Sequence, residues 1–158
     1  MHFPELPVSG ALRLLCGVML MAMAVTPAIA ANCRVSVDSV DFGTYEPMSR
    51  SNLNGAGKIR ADCRGGTATV VIRLAPGRSG VSTNRHMTSG SDLLYYNLFT
   101  NASRTVVWGD GSAATSLVST FKGKGRRRFE FTVYGRVFAS QDAVPGFYTD
   151  DIVVTVTF

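Results

Sequence analysis

Histidine is almost missing from this chain: His2 and His86 are the only two in 158 residues. Cysteine is sparse, at three, tryptophan is single, and charged residues make up only 17%. After residue 30 no apolar run approaches the roughly 20 residues of a membrane-spanning helix. Nor does any stretch of useful length repeat at the helical period. Each shortage removes a class of function. With 46% hydrophobic residues, so little charge excludes a disordered tail or a coiled coil. One histidine beyond residue 30, no Gly-x-Ser-x-Gly elbow and no convergent carboxylate pair leave nothing to build catalysis on. Asp150 and Asp151 are adjacent, so within a strand they would face opposite sides. Asp110 sits in a Gly-Asp-Gly turn without calcium-loop spacing. No enzyme, metal or cofactor is expected, and the chain shows no nucleic-acid-binding motif.

What is present begins with a targeting segment. Leu14 to Val25 reads LLCGVMLMAMAV, a twelve-residue apolar run preceded by Arg13. It is too short to span a bilayer and has the length of a signal-peptide core. Thr26-Pro27 breaks a helix, and Ala28-Ile29-Ala30 is a small-x-small cleavage site. Cleavage is expected after Ala30, which leaves a single domain over residues 31–158. The first 30 residues carry only Glu5 and Arg13, which cancel, so the remainder keeps the net charge of +5. Cys16 departs with the leader. Cys33 and Cys63 remain, and an even count in an exported chain reads as a disulfide. A metal site is the weaker reading, because these two cysteines and His86 do not complete a four-ligand zinc set.

Strand patterns fill residues 31–158. Apolar and polar residues alternate over Arg34–Asp38, Lys58–Cys63, Thr69–Leu74 and Phe129–Tyr134. Leu93–Phe99 is aromatic-rich, and Thr105–Trp108 reads as a short strand. In the last segment, Ile152, Val154, Val156 and Phe158 alternate with Val153, Thr155 and Thr157. Glycine-rich turns separate these runs. Six to eight short strands of this kind make an all-β sandwich. Gly146-Phe147-Tyr148 before the last strand fits a tyrosine corner, whose hydroxyl ties back to nearby backbone.

The ordered set Cys33-x-Val35, Phe42-Gly43-Thr44-Tyr45, Cys63, Arg85-His86-Met87, Leu94-Tyr95-Tyr96-Asn97-Leu98-Phe99, Val107-Trp108-Gly109-Asp110-Gly111, Val133-Tyr134-Gly135-Arg136-Val137 and Gly146-Phe147-Tyr148-Thr149-Asp150 resembles the spore coat protein U family. That family includes secreted subunits of archaic chaperone–usher pili. The resemblance implies an immunoglobulin-like β-sandwich that lacks its last strand. It further implies a periplasmic chaperone that covers the gap, an outer-membrane usher, and a neighbouring subunit that fills the gap with a donated strand. Localisation would be periplasmic in transit, then extracellular or on the cell surface, in adhesion or biofilm formation.

The final strand is expected to border the open groove, with Ile152, Val154, Val156 and Phe158 turned inward. Only Ala31 and Asn32 precede Cys33 after the expected cleavage. Two residues reach about 7 Å, whereas a donated strand of nine or ten spans about 30 Å. The chain is therefore expected to accept a strand and not to give one, which argues against a position in a fibre shaft. The alternative reading is a stand-alone coat protein that packs on a cell or spore surface without strand exchange.

Lys122, Lys124, Arg126, Arg127 and Arg128 form a basic run that either binds an acidic surface polymer or is a solvated hairpin loop. Tyr95, Tyr96, Trp108 and Tyr134 are read as packing residues in preference to a ligand face.

Overall fold

The computed structural model describes residues 31–158. The expected leader lies outside the described residues. Eight strands follow in order: β1 (Ala31–Asp41), β2 (Leu53–Gly65), β3 (Ala68–Leu74), β4 (Arg85–Ser89), β5 (Asp92–Phe99), β6 (Val118–Lys122), β7 (Arg127–Val137) and β8 (Val154–Thr157). They form a five-stranded sheet in the order β1-β2-β7-β5-β4 and a three-stranded sheet in the order β6-β3-β8. All the strand pairings are antiparallel. The fold is the all-β sandwich that the alternation implies.

Alternation sets which side chains meet between the sheets. In β3, Val70, Ile72 and Leu74 are buried. They face Ile59, Ala61 and Cys63 of β2 and Val133 and Val137 of β7, all in one core with Leu94, Tyr96, Leu98 and Trp108. Trp108 is fully enclosed, and its ring nitrogen donates to the Ile72 carbonyl at 3.2 Å. Cys33 and Cys63 stand directly opposite each other in the β1–β2 register and form the disulfide.

Thr105–Trp108 is not a strand. Val107 and Trp108 make only isolated bridges, to Phe99 and Ser116. The amides of Thr105 and Val106 donate to the Asn101 side chain, at 3.1 Å each. Arg104 adopts φ 56°, so the backbone here closes a local turn instead of extending.

A glycine pair shapes the interior. Gly55 of β2 and Gly135 of β7 are register partners. A Cβ on Gly135 would lie 2.6 Å from two ring atoms of Phe42. Only glycine lets the Phe42 ring cross these strands to meet Tyr96 edge-on, with 5.7 Å between centroids. The tyrosine corner is present, since the Tyr148 hydroxyl donates to the Val144 carbonyl at 2.9 Å.

Candidate functional site: an open edge between β1 and β8

Two strand edges border the site. β1 is one of the two edge strands of its sheet, with β4, and β8 one of the two of the other, with β6. Val35 and Val37 of β1 stand opposite Ala61 and Ile59, so they face the interior. Ala61 and Ile59 are buried, yet Val35 is 36% exposed and Val37 50% exposed. Inward-facing valines that remain in water have no strand of the opposite sheet above them.

On the other side, Val154 and Val156 of β8 pair with Leu74 and Ile72 and share their inward face. Together with Ile152 they are half-buried against the core. Phe158 continues this face past the end of β8 but is 48% exposed. Its expected inward turn is therefore incomplete: the side chain has the right phase, but the described residues leave about half of it uncovered. Thr155 and Thr157 lie on the outer face.

Between the two edges is a cavity of about 460 Å³. Ile59, Leu74, Met87, Tyr96, Leu98 and Val133 floor it, and Val37, Val40, Ile152 and Val154 line its sides. Asp38, Ser39, Thr149, Asp150 and Asp151 add polar groups to this lining, and a cavity of this size has room for side chains and not only for a single water.

One polar latch holds the chain on its way into β8. Asp150 accepts from the Tyr96 hydroxyl at 2.8 Å and from the Arg78 amide at 2.9 Å. Burial, reinforced by that hydrogen bond to Asp150, raises the Tyr96 pKa far above the ordinary phenol value. Gly77, at φ 72°, lies in contact with the Asp150 carboxylate and leaves no room for a side chain.

Deeper in, Arg85 is fully buried and was not singled out from the sequence as a working residue. Its guanidinium donates to Asn97 Oδ1 at 2.8 Å and to the carbonyls of Ala75, Ser82 and Trp108. It thereby joins β4 and β5 to the connections after β3 and around Trp108. Desolvation lowers the Arg85 pKa, partly offset by Tyr96 and Asp150. The available signal was its phase, because Arg85 occupies the same face of β4 as buried Met87.

The basic run does not stay together. Lys122 is fully buried, and its ammonium donates to the carbonyls of Gly65, Gly66 and Gly123. This corrects its place in a surface patch: Lys122 ends β6 on the inward phase, and three carbonyls of the adjoining turns replace its water. Lys124, Arg126, Arg127 and Arg128 are exposed. Arg126 and Arg128 both pair with Asp62. The hydrogen bond from Arg126 holds the Asp62 carboxyl down at about 2, with a further contribution from Arg128.

The aromatic residues do not converge. Tyr96 and Trp108 are in the core, whereas Tyr95 is partly exposed beside His86, and Tyr134 lies 5.6 Å beneath the Arg104 guanidinium. Asp110 closes a turn by accepting from the Ser112 amide and hydroxyl. Among the described residues there is no cluster of three or more His, Cys, Asp or Glu that could hold a metal ion. No helix among them is long and apolar enough to cross a membrane.

The spore coat protein U domain model matches residues 19–155. Protein U of Myxococcus xanthus is 32% identical over 133 residues, which cover 76% of this chain and 72% of that protein. Among solved structures, the chaperone–tip adhesion subunit pre-assembly complex CsuC–CsuE, from the archaic chaperone–usher Csu pili of Acinetobacter baumannii, superimposes with a TM-score of 0.55 at 22% identity. That match covers 82% of this chain and 40% of the other.

Proposed function

Because this chain belongs to the spore coat protein U domain family, we propose that it is an exported structural subunit of a chaperone–usher pilus, completed by a β-strand from another chain. A surface subunit of this family is a structural protein and not an enzyme. The observation that carries the proposal is the exposure of Val35 and Val37 on the inward face of β1, opposite the unpaired edge of β8. A strand laid along that edge takes main-chain hydrogen bonds from β8 and covers the valines with alternate side chains. Burying four apolar side chains stabilises by about 6–12 kcal/mol before ordering costs. Whole domains are stable by only about 5–15 kcal/mol, so a strand of this kind decides whether the sandwich persists.

In this reading a periplasmic chaperone supplies the strand first, an usher exchanges it, and a neighbouring subunit supplies it in the finished assembly. The role is adhesion or biofilm formation. The chaperone–subunit complex among the structural neighbours supports the partner class. The match to the spore coat protein U domain favours one second reading, a stand-alone coat protein that packs on a cell or spore surface without strand exchange.

The test is to export the protein with and without a candidate chaperone, and to refold it with a twelve-residue alternating apolar peptide. Capture of the peptide, with a rise in melting temperature that grows with peptide concentration, is the expected result. A stable monomer that ignores both peptide and chaperone sinks the pilus reading and leaves the coat protein.

A further inference from the structure

The open edge does not end in neutral surroundings. Phe158 and Val35 mark the end of it that lies over the disulfide, since β8 runs towards Val71 and β1 starts beside Cys63. At this same end β1 begins, β2 finishes and β7 begins, so Arg34, Arg64, Lys124, Arg126, Arg127 and Arg128 share one end of the sandwich, with Arg34, Arg64 and Arg128 on the outer face beside Asp62 and Lys124 and Arg126 in the β6–β7 turn. The carboxylate among them is Asp62, which Arg126 and Arg128 already occupy. Farther along the sheet, Asp38 and Glu130 are neutralised by Arg60 and Lys58. Arg34, Arg64, Lys124 and Arg127 have no ion-pair partner among the described residues. Arg127 also stands opposite Cys63, two residues before Phe129, so it extends the inward-facing column of β7.

At the opposite end of the sandwich carboxylates gather, with Arg78 paired to Asp151 and Arg136 on β7 close by. Asp41 closes β1, Asp92 opens β5, and Asp150 and Asp151 precede β8. The basic run thus lies at one end of the strand axis, and Asp41 and Asp150 lie at the other.

We infer that the strand this groove captures carries acidic residues at the end lying over the Cys33–Cys63 disulfide, and that the cationic mouth selects its orientation and speeds its capture. The inference rests on the strand-acceptor reading. Unpaired cations at that end of the sandwich steer an approaching acidic segment over about a Debye length, and the effect fades with salt. They also penalise a strand that enters reversed and leaves its acids at the far end beside Asp41 and Asp150.

The test uses the exported protein and three alternating apolar peptides: Glu-Glu at the N-terminus, Glu-Glu at the C-terminus, and Gln at both ends. All three should bind, and one of the two acidic peptides should bind about tenfold faster than the neutral one at low salt. That advantage should vanish in 0.5 M salt and in K124Q/R127Q, while the neutral peptide binds the variant as before and so reports that it folds. In K124E/R127E a Lys-Lys peptide of the same polarity should become the preferred one. Equal capture of all three peptides by the unaltered protein overturns the inference and leaves the acceptor reading standing. Failure of every peptide, the neutral one included, removes the acceptor reading and this inference with it. A polyuronate bound through Lys124 and Arg127, with no peptide preference, assigns the basic end to a surface polymer and overturns the inference.

Discussion

Lys122 and Arg85 are buried cations that meet main-chain carbonyls, with Asn97 as the single side-chain acceptor. A buried charge is tolerated only when fully hydrogen-bonded, and its removal strands the acceptors in turn. Arg85→Ala should therefore lower stability by about 3 kcal/mol or more. Arg85→Lys should not restore it, because one ammonium cannot span the four acceptors of a planar fork. Lys122→Met should cost about 1–3 kcal/mol by freeing the Gly65 and Gly66 carbonyls. Denaturant unfolding of each variant beside the unaltered protein measures all three.

Asp62 gives a pH prediction at the same scale. Its folded pKa, about 2, lies below the ordinary 3.8. The stabilisation from its Arg126 pair is thus complete above about pH 4 and is lost as pH falls towards 2. A carboxyl NMR titration should find the Asp62 midpoint near 2, and Arg126→Gln should move it up towards the ordinary value. A midpoint already near 3.8 in the unaltered protein would refute the clamp.

Alternation is an element's most legible property, and it serves well where both faces have definite surroundings. Val70, Ile72 and Leu74 declare β3, and Phe129, Phe131 and Val133 declare β7. Their partners must still be found in space, which is why the exposure of Val35 and Val37 was not legible: in sequence they look like any inward-facing pair. Thr105–Trp108 misled because a side chain, Asn101, takes the amides that a ladder would need. Lys122 misled because a run of cations reads as solvated surface, whereas its place at the end of β6 is set by phase. The tyrosine corner was legible because its hydrogen bond is local, from Tyr148 to Val144. For β8 the phase makes a sharp prediction. Val156→Asp places a charge on the groove side and should weaken peptide capture at least a hundredfold. Thr155→Asp, one residue away on the outer face, should change it less than threefold. Titration of labelled peptide against each variant separates them, and equal effects would mean that the added strand does not lie along β8.

At the scale of the whole molecule, the disulfide sets how far the chain can be drawn out when it is held by its two ends. β1 is joined to β2 by a covalent bond at Cys33 and Cys63, thirty residues apart in sequence. However far the sandwich is pulled open, that stretch of chain cannot pay out while the bridge is intact. At about 3.4 Å per residue it withholds about 100 Å of length. Single-molecule stretching of one domain held by its two ends should therefore show a contour gain about 100 Å longer in reducing buffer than in oxidising buffer. The bridge thus acts as a stop on extensibility, giving a short, stiff tether where a reduced chain would give a long, slack one.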